Sequence, residues 1–467
     1  MNARRQLRIA AIAGTPKVNM GRNKGMSSAS PPNVRRWFCF LVCLSLCGCR
    51  YEASDTGDTA GASFVFTDAE QSLISRYVVE QPDLDSTNGV VDSAGAAHFG
   101  QFLFFDTRFS ASGSFSCATC HEPELGFADG LVLSEAAGVT GRHAPSVLNT
   151  VYNSWFYWDG RADTHWSQAL SPIEDVDEQN FTRLEVAHLL VADAELSPAY
   201  ASVFGALPDL SDTERFPDFG RPDLEDPSSE RAQNWASMTD EDQALINTIF
   251  ANVGKAIAAY EAKLIDVSSP FDSLVSAVVA GEPSGGDALS LSAKRGLRIF
   301  LGKGQCNLCH FGPMLTNGAF HNIGLGPRDY LAVGDLGRYT GIDAVQDNPF
   351  NGASIYSDDP TTGAQKLDYL AQADEHLAAF KVPSLRNVAN TAPYMHGGHF
   401  ESLTRVVEYY DALDEISSFG HREESLLPLG LSKDEIADVV SFLESLTSDA
   451  LDPQLKIQPA SPSLDSR

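Results

Sequence analysis

The sequence predicts a mainly α-helical protein made of two domains that pack together, with long irregular insertions. Signals for β-strands are few, and most apolar residues recur at the spacing of helices. The two halves of the chain also share an order of elements: a helix, a Cys-x-x-Cys-His pentapeptide, a loop and further helices. The pentapeptides are Cys117-Ala-Thr-Cys120-His121 and Cys306-Asn-Leu-Cys309-His310. This weak internal repeat predicts one domain around each pentapeptide.

Each pentapeptide has the attachment signature of a c-type haem. Its two thiols add to the haem vinyl groups, and the adjacent histidine is then held beneath the iron as the proximal ligand. With 8 cysteines and 11 histidines in 467 residues, chance would supply about 0.003 copies of this pattern. The alternatives are a zinc site and a redox-active dithiol. We therefore expect two covalently bound haem c groups in two cytochrome c-like haem domains, where the haem supplies much of the core.

The remaining four cysteines lie in the apolar run of residues 37–49, which follows Arg35-Arg36. A basic start, a short apolar stretch and small residues describe a secretory signal, which is too short to be a good membrane span. The run ends in Leu46-Cys-Gly-Cys49, which resembles a bacterial lipobox in which Cys49 becomes the lipidated N-terminus; the alternative is an ordinary signal peptide cut nearby. We expect residues 1–48 to be a signal region, residues 49–66 a tether, and the protein to be periplasmic or anchored to the outer membrane.

The chain is strongly acidic, with a formal net charge of −29. Because residues 1–48 hold eight basic residues and no acidic one, their removal would leave −37. Such a surface repels nucleic acid and anionic lipid head groups, so we expect no nucleic-acid partner and membrane contact only through a lipid anchor at Cys49. The acidic surface would suit a basic partner such as a cytochrome c; the alternative is that the acidity serves solubility.

The first haem domain is expected over residues 67–265. Its first helix begins at the capping box Thr67-Asp-Ala-Glu70 and reaches about Val79. Residues 206–240 are rich in Asp, Glu, Pro and Ser, which indicates an acidic insertion or an interdomain loop. Apolar spacing predicts further helices over residues 94–105, 166–170, 183–204 and 241–264.

The second haem domain is expected over residues 266–447. A helix over residues 290–301 leads into the second pentapeptide, and Ser432-Lys-Asp-Glu435 caps the last helix. Residues 328–378 are acidic and rich in Gly, which indicates a second long insertion. Residues 448–467 are expected to be a disordered tail.

Further motifs surround the pentapeptides in both halves. They are the stretch from Leu103-Phe-Phe-Asp to His121, Arg142-His-Ala-Pro-Ser-Val-Leu-Asn149, Tyr157-Trp-Asp-Gly-Arg-Ala162, Gln168-Ala-Leu-Ser-Pro172, Phe380-Lys-Val-Pro-Ser-Leu-Arg-Asn387, Thr391-Ala-Pro-Tyr-Met-His-Gly-Gly398 and Leu403-Thr-Arg-Val-Val-Glu-Tyr-Tyr410. In content and order they resemble bacterial dihaem cytochrome c peroxidases and their MauG-like relatives, over residues 67–447 apart from the two insertions. The resemblance implies an oxidoreductase of the cytochrome-c peroxidase type, with a peroxidatic haem on His121 and an electron-transfer haem on His310.

The resemblance places Gln168, Pro172 and Glu178 in the distal pocket over the first haem. Cleavage of peroxide needs a base that takes a proton from one oxygen and returns it to the leaving oxygen, and a carboxylate near an open iron can do this. Glu178 would be this base, Gln168 would donate a hydrogen bond to the bound oxygen, and Pro172, which has no N–H, would wall the pocket. The alternative for Glu178 is a solvated acid in the acidic run of residues 174–178.

The resemblance also assigns groups between the haems and at the second iron. Trp158 corresponds to the family's tryptophan between the haems, where an indole relays electrons; the alternative is core packing. Tyr410 stands where the peroxidase branch has a methionine ligand, and tyrosine there is the MauG-like pattern. A phenolate ligand favours ferric iron and lowers the potential. Met395 is the competing ligand, because methionine is the usual partner of an electron-transfer haem.

Three features depart from the family patterns. The loop of residues 122–142 lacks the histidine often found there in the peroxidase branch, so we expect a five-coordinate first haem that needs no reductive activation. His143 stands where the family usually has an Asn ligand of a calcium ion, beside the backbone carbonyls of Thr391 and Pro393; either these carbonyls and water hold the ion, or it is absent. Gly304 stands where the MauG branch has a tryptophan that serves oxidation of a protein substrate.

Three functions are compatible with these patterns. The leading hypothesis is a dihaem peroxidase that reduces hydrogen peroxide with electrons from an external donor such as a small cytochrome c. The second is a MauG-like oxidase that uses a high-valent dihaem state on a protein or organic substrate; Tyr410 and the missing loop histidine favour it and Gly304 opposes it. The third is a non-enzymatic electron-transfer cytochrome, which requires strong sixth ligands on both irons.

Overall fold

The structure of the protein is a computed structural model that describes residues 64–331 and 334–464. The predicted signal region, the lipid anchor at Cys49 and residues 49–63 of the predicted tether lie outside the described residues. Within the described ranges, no helix combines the length and the apolar character needed to span a bilayer.

The described part of the chain is mainly helical, as predicted. Its α-helices are Asp68–Ile74 (α1), Ala94–Phe105 (α2), Cys117–Cys120 (α3), His165–Gln168 (α4), Ser171–Glu174 (α5), Arg183–Ala192 (α6), Leu196–Phe204 (α7), Glu230–Ser237 (α8), Asp240–Glu261 (α9), Pro270–Val279 (α10), Leu291–Leu301 (α11), Arg338–Asp347 (α12), Pro360–Leu367 (α13), Leu403–Ala412 (α14) and Lys433–Glu444 (α15). Two short strands, Phe320–His321 (β1) and Phe380–Lys381 (β2), pair antiparallel, with Phe320 opposite Lys381.

Helix ends follow capping side chains. Thr67 and Ser432 form the predicted capping boxes at α1 and α15. The single helix predicted over residues 183–204 is instead two helices, α6 and α7. The Asp193 carboxylate accepts the N–H groups of Glu195 and Leu196 at 2.9 and 2.8 Å, which ends one helix and starts the next.

Each half of the protein contains a close crossing of two helices. In the first half, α2 leads into Cys117 and crosses the long helix α9, and a Cβ atom at Gly100 would lie 1.8 Å from the carbonyl oxygen of Ala256. In the second half, α11 leads into Cys306 and crosses α15, and a Cβ atom at Gly296 would lie 1.9 Å from the carbonyl oxygen of Asp438. Glycine permits this backbone approach at both crossings, so the internal repeat extends from the pentapeptides to the helix packing.

Buried apolar side chains form two main clusters, one in each half. The first cluster surrounds α2, α4, α6 and α9, and its largest buried side chains include Trp166 and Tyr260. The second cluster surrounds α1, α10, α11 and α15. In it, the rings of Phe271 and Phe442 meet edge to face with centroids 5.4 Å apart.

The N-terminal segment packs on the second cluster, which corrects the prediction that residue 66 belongs to a tether and residues 67–77 to the first haem domain. Phe66 and Tyr77 are buried in the second cluster, and the Phe66 N–H donates to the Pro283 carbonyl at 2.7 Å. Glu70 pairs with Arg298 of α11 at 2.6 Å. Chain order predicted the wrong partner because a short amphipathic helix covers whichever apolar surface lies within reach.

The predicted insertion at residues 206–240 is packed rather than irregular throughout. It contains α8, and its Phe216 and Trp235 side chains are buried in the first cluster. Arg183 of α6 lies over the Trp235 ring at 5.3 Å. A few apolar anchors therefore hold a segment whose composition is mostly polar.

The predicted insertion at residues 328–378 contains α12 and α13 and packs on the first half, although it follows the second pentapeptide in sequence. Phe350 contacts Phe250 of α9, with ring centroids 5.7 Å apart. Lys255 of α9, itself buried, pairs with Asp358 at 2.7 Å. The sequence predicted this insertion as part of the second haem domain, but in the structure it packs on the first half.

The tail also packs on the first half, so the prediction that residues 448–467 are disordered is wrong for residues 448–464. The Tyr260 hydroxyl donates to the Leu455 carbonyl at 2.6 Å. The Gln101 amide donates to the carbonyls of Gln454 and Ile457 at 2.6 and 2.8 Å. These hydrogen bonds end on backbone carbonyls of the tail. Because every residue has a backbone carbonyl, no pattern of side chains in the sequence indicates such contacts.

Candidate active site

The first pentapeptide forms the short helix α3 and a sharp turn after it. The His121 Nδ1 lies 3.2 Å from the carbonyl oxygen of Phe127. Because a carbonyl oxygen only accepts hydrogen bonds, Nδ1 carries the proton and Nε2 keeps its lone pair. Phe127 is buried and has a left-handed backbone with φ of +57°, which brings its carbonyl back toward the histidine.

The second pentapeptide repeats this arrangement. The His310 Nδ1 donates to the carbonyl oxygen of Leu315 at 2.8 Å, and Leu315 is buried with φ of +49°. Burial lowers the pKa of His310 to about 4, so the imidazole is neutral. A histidine that donates one ring N–H to a carbonyl and keeps the other nitrogen free is oriented as an iron ligand.

Both pentapeptides fit covalent haem. Their four cysteines are free thiols, and in the described part of the chain no three His, Cys, Asp or Glu side chains converge as a metal-ion site. The zinc alternative therefore finds no matching group of side chains among the described residues. Lys381 adds an independent sign, because burial lowers its pKa to about 8 with no charged neighbour among the described residues to offset that loss. A haem propionate would supply the anion that this ammonium lacks.

Glu178 lies near the two cysteines of the first pentapeptide. Burial raises the pKa of its carboxyl group to about 7; Asp175 and Asp177 add to the rise and Arg161 opposes it. Its charge in turn helps to raise the pKa of the Cys120 thiol to about 11, mainly through burial of that thiol. The group is thus a partly buried acid beside the first haem-attachment motif, unlike a fully solvated member of an acidic run.

Gln168 and Pro172 lie on the segment that leads to Glu178. Gln168 ends α4, and Pro172 lies in the first turn of α5. The Pro172 carbonyl accepts the Gln179 N–H at 3.1 Å, which folds the chain back beside α5. The three residues predicted for the distal pocket therefore lie on one continuous segment, residues 168–178.

Two further residues of this region were not singled out from the sequence. The Tyr157 hydroxyl donates to the Gln168 carbonyl at 3.1 Å, and the Arg161 guanidinium lies 3.5 Å from the centre of the Tyr157 ring. Arg161 also pairs with Asp159 at 3.2 Å. Both residues belong to the motif Tyr157-Trp-Asp-Gly-Arg-Ala162, which was recognised in the sequence. Their contacts with Gln168 and with each other could not be predicted from the motif.

Trp158 lies where segments of both halves meet, a region that we call the joint and define by His143, Trp158 and His396. The Trp158 indole N–H donates to the His143 carbonyl at 2.9 Å. The Trp158 carbonyl accepts the N–H of Lys381 on β2 at 2.7 Å. The His143 N–H donates to the His396 carbonyl at 2.9 Å. Trp158 is therefore bonded to both halves of the chain.

Tyr410 on α14 faces the second pentapeptide. Burial raises the pKa of its hydroxyl, and the nearby Tyr409, Cys306 and Cys309 raise it further. The neighbouring Tyr409 hydroxyl is committed elsewhere, since it donates to the Ile323 carbonyl at 2.6 Å. Met395, the competing ligand, has a left-handed backbone with φ of +73° and packs at the edge of the second cluster.

His143 stands in the sequence where the Asn ligand of a calcium ion was expected, and its side chain makes a different contact. Its Nδ1 donates to the Leu131 carbonyl at 2.7 Å. Burial lowers the pKa of the imidazole, while the carbonyls of Leu131 and Thr391 and the carboxylate of Asp129 oppose that shift. A ring nitrogen that donates its proton cannot bind a cation, so these residues do not fit a calcium ion.

Comparison with known proteins agrees with this geometry. The family model of di-haem cytochrome c peroxidases matches residues 94–278. The methylamine utilization protein MauG of Methylorubrum extorquens is 32% identical over 356 residues, which cover 75% of this chain and 77% of that protein. The cytochrome c551 peroxidase of Pseudomonas aeruginosa is 30% identical over 369 residues, which cover 78% and 81%.

Two crystal structures share the fold. A MauG-like protein associated with microbial copper homeostasis gives a TM-score of 0.56 at 23% identity, covering 82% of this chain and 97% of that one. The diheme peroxidase BthA from Burkholderia thailandensis gives 0.55 at 20% identity, covering 84% and 96%. The match to the MauG protein spans about three quarters of both sequences. The chain belongs to the di-haem cytochrome c peroxidase family, an oxidoreductase family that includes MauG proteins and implies two c-type haems.

Proposed function

We propose that the protein is a dihaem c-type peroxidase that reduces hydrogen peroxide at the His121 site with electrons from an external donor. The observation that carries the proposal is the Glu178 carboxyl group, which faces the first pentapeptide and whose pKa is raised to about 7. A group with this pKa accepts and releases a proton with similar ease near neutral pH, and peroxide cleavage needs both steps.

The chemistry divides between the haem and the chain. Cys117, Cys120 and His121 would hold the haem, which would supply the iron at which peroxide is reduced. Glu178 takes a proton from one peroxide oxygen and returns it to the leaving oxygen. The Gln168 amide donates a hydrogen bond that orients the ligand, and Pro172 adds no competing N–H. Two electrons and two protons convert each hydrogen peroxide to two water molecules.

Electrons reach the first site through Trp158. Its indole and its backbone carbonyl are hydrogen-bonded to different halves of the chain, so the ring is held at a fixed position in the joint. Tyr410 faces the second pentapeptide and is our preferred sixth ligand there, in agreement with its position beside Cys306 and Cys309. The His310 site then stores or passes electrons and leaves peroxide to the first site.

A small cytochrome c is our proposed donor. Leu308 within the second pentapeptide and Phe311 directly after it are 53% and 51% exposed, and they would provide an apolar contact beside the haem. The surrounding protein carries a large negative charge that would steer a basic partner toward it. Export to the periplasm and a lipid anchor at Cys49 complete the proposal, on the basis of the lipobox-like sequence alone.

A MauG-like oxidase is the second candidate function. Tyr410 favours it, because a phenolate ligand lowers the potential of its iron and supports a more oxidised state. Gly304 opposes action on a large protein, because the position two residues before the second pentapeptide carries no aromatic side chain. Its Cβ would lie 2.9 Å from the Ile299 carbonyl, so the backbone there is closely packed.

The proposal is tested by steady-state peroxide reduction with Glu178→Gln. Loss of the proton-transfer group should lower kcat/KM for hydrogen peroxide by about 10²–10⁴-fold. In the unmodified protein kcat/KM should fall as the pH drops below about 7, where Glu178 becomes protonated. Glu124→Gln, an exposed acid near the same pentapeptide, is the matched control and should retain activity. Unchanged peroxide reduction by Glu178→Gln would exclude Glu178 from the reaction.

A further inference from the structure

His143 is hydrogen-bonded to three separate segments of the chain. Its side chain is 4% exposed. The Nδ1–H donates to the Leu131 carbonyl at 2.7 Å, the backbone N–H donates to the His396 carbonyl at 2.9 Å, and the backbone carbonyl accepts the Trp158 indole N–H at 2.9 Å. One buried residue thus ties the loop after the first pentapeptide to the second half and to the tryptophan in the joint.

The imidazole also reaches the position where a calcium ion was predicted. It lies within hydrogen-bonding reach of the Thr391 carbonyl, one of the two carbonyls expected to bind the ion. Calcium requires about 6–8 oxygen ligands, whereas the ring offers no oxygen and its Nδ1 already carries a proton. The Asp129 carboxylate lies near this ring, and its Oδ2 is buried without a hydrogen-bond partner among the described residues.

The joint contains permanent positive charge as well. Arg142, the residue before His143, pairs with Asp159 at 2.5 Å and with Asp335 at 2.8 Å. Its guanidinium lies 5.3 Å from the centre of the Phe380 ring, which stacks on His396. A guanidinium paired with two carboxylates therefore already links the two halves here without a metal ion.

We propose that the His143 imidazole takes the place of calcium at the joint, so that the protein holds its haem sites together and orients Trp158 without a bound metal ion. A calcium ion would join carbonyl oxygens by its charge. The His143 side chain instead fixes the Leu131 segment through its Nδ1–H, and its backbone N–H fixes the same segment to His396, with Asp129 as the nearby negative charge. The role of Trp158 in electron transfer rests on the proposed function. The absence of a metal ion from the joint does not depend on it.

The unmodified holoprotein tests the proposal first. Protein washed with EGTA and desalted is analysed for calcium by emission spectrometry and melted with EGTA, calcium chloride or magnesium chloride. We expect well under one equivalent of calcium and the same Tm in all three solutions. One retained equivalent, or a Tm that falls in EGTA and recovers with calcium but not magnesium, would overturn the proposal.

His143→Asn tests the substitution in the opposite direction, with His421→Asn, an exposed histidine, as the matched control. His143→Asn restores an amide oxygen beside the Thr391 carbonyl, so we expect it to bind about one calcium ion. Its Tm in EGTA should fall by about 4 °C and recover with calcium, while the control stays unchanged. A variant that binds no calcium and melts like the unmodified protein would show that His143 does not replace the ion. If the variant fails to assemble, the calcium content and melting of the unmodified protein decide alone, and neither readout depends on peroxidase activity.

Discussion

The two haem-attachment sites have similar pentapeptides and similarly bonded histidines, but different side chains lie opposite the two pentapeptides. In each half a glycine-bearing helix crosses a longer helix and leads into the pentapeptide. Each histidine donates its Nδ1–H to the carbonyl of a buried residue with a left-handed backbone, Phe127 in the first half and Leu315 in the second.

The opposing side chains separate the two sites. The first site faces Glu178, whose pKa is raised to about 7, with Arg161 and Tyr157 beside it. The second site faces Tyr410, whose hydroxyl pKa is raised by burial and by the nearby Tyr409, Cys306 and Cys309. The internal repeat thus provides two similar attachment motifs, and different side chains lie opposite each of them.

The glycine crossings should show the largest effect, and the effect should be equal in both halves. A methyl group at Gly100 or Gly296 would meet backbone rather than a movable side chain, so each Ala variant should lose about 3 kcal/mol of unfolding free energy. Chemical denaturation followed by circular dichroism measures this. Gly141→Ala is the control, because a Cβ atom there would meet no heavy atom of the described residues within 4 Å. A loss confined to one half would break the structural equivalence.

Tyr410→Met should change only the second site. Exchange of a phenol for a thioether should raise the reduction potential of the His310 haem on the order of 0.1 V, a fraction of the ~0.8 V range that axial ligands span. Spectroelectrochemical titration would resolve the two haems. Equal shifts of both potentials, or no shift at all, would contradict the assignment of Tyr410 to the second haem.

Arg161→Met should change only the first site. The guanidinium lowers the pKa of Glu178, so its removal should raise that pKa and move the acidic limb of the kcat/KM profile to higher pH. A shift of about one unit corresponds to about 1.4 kcal/mol. Arg405→Met, which removes an exposed Arg from α14, should leave the profile in place. If the acidic limb of the kcat/KM profile did not move, Arg161 would not influence the pKa of the group that the profile reports.

Local sequence patterns predicted those parts of the fold whose determinants are local. The capping boxes at Thr67 and Ser432 placed helix starts correctly, because a cap acts within three residues. The packing of α1 on the second cluster, and of residues 328–378 and the tail on the first, was not predicted. Those contacts join residues far apart in sequence, such as Tyr260 with Leu455.

The same division applies to the candidate site. Resemblance predicted Glu178 at the first haem and Tyr410 at the second; in the structure Glu178 lies near Cys120, and Tyr410 lies near Cys306 and Cys309. Tyr157, Arg161 and Lys381 gained significance only from their contacts: a hydrogen bond to a backbone carbonyl, a stacked guanidinium, and an ammonium without a counterion among the described residues. No sequence pattern reports such pairings, because each one depends on how separate loops meet.

The difference between the two haem sites is tested most directly by electron paramagnetic resonance of the ferric holoprotein, titrated with cyanide. The first site should be open and the second closed by Tyr410, so we predict one high-spin and one low-spin signal of equal intensity. Cyanide should convert only the high-spin signal. Two low-spin signals that ignore cyanide would contradict this division of roles, because neither haem would then have a position at which peroxide can bind.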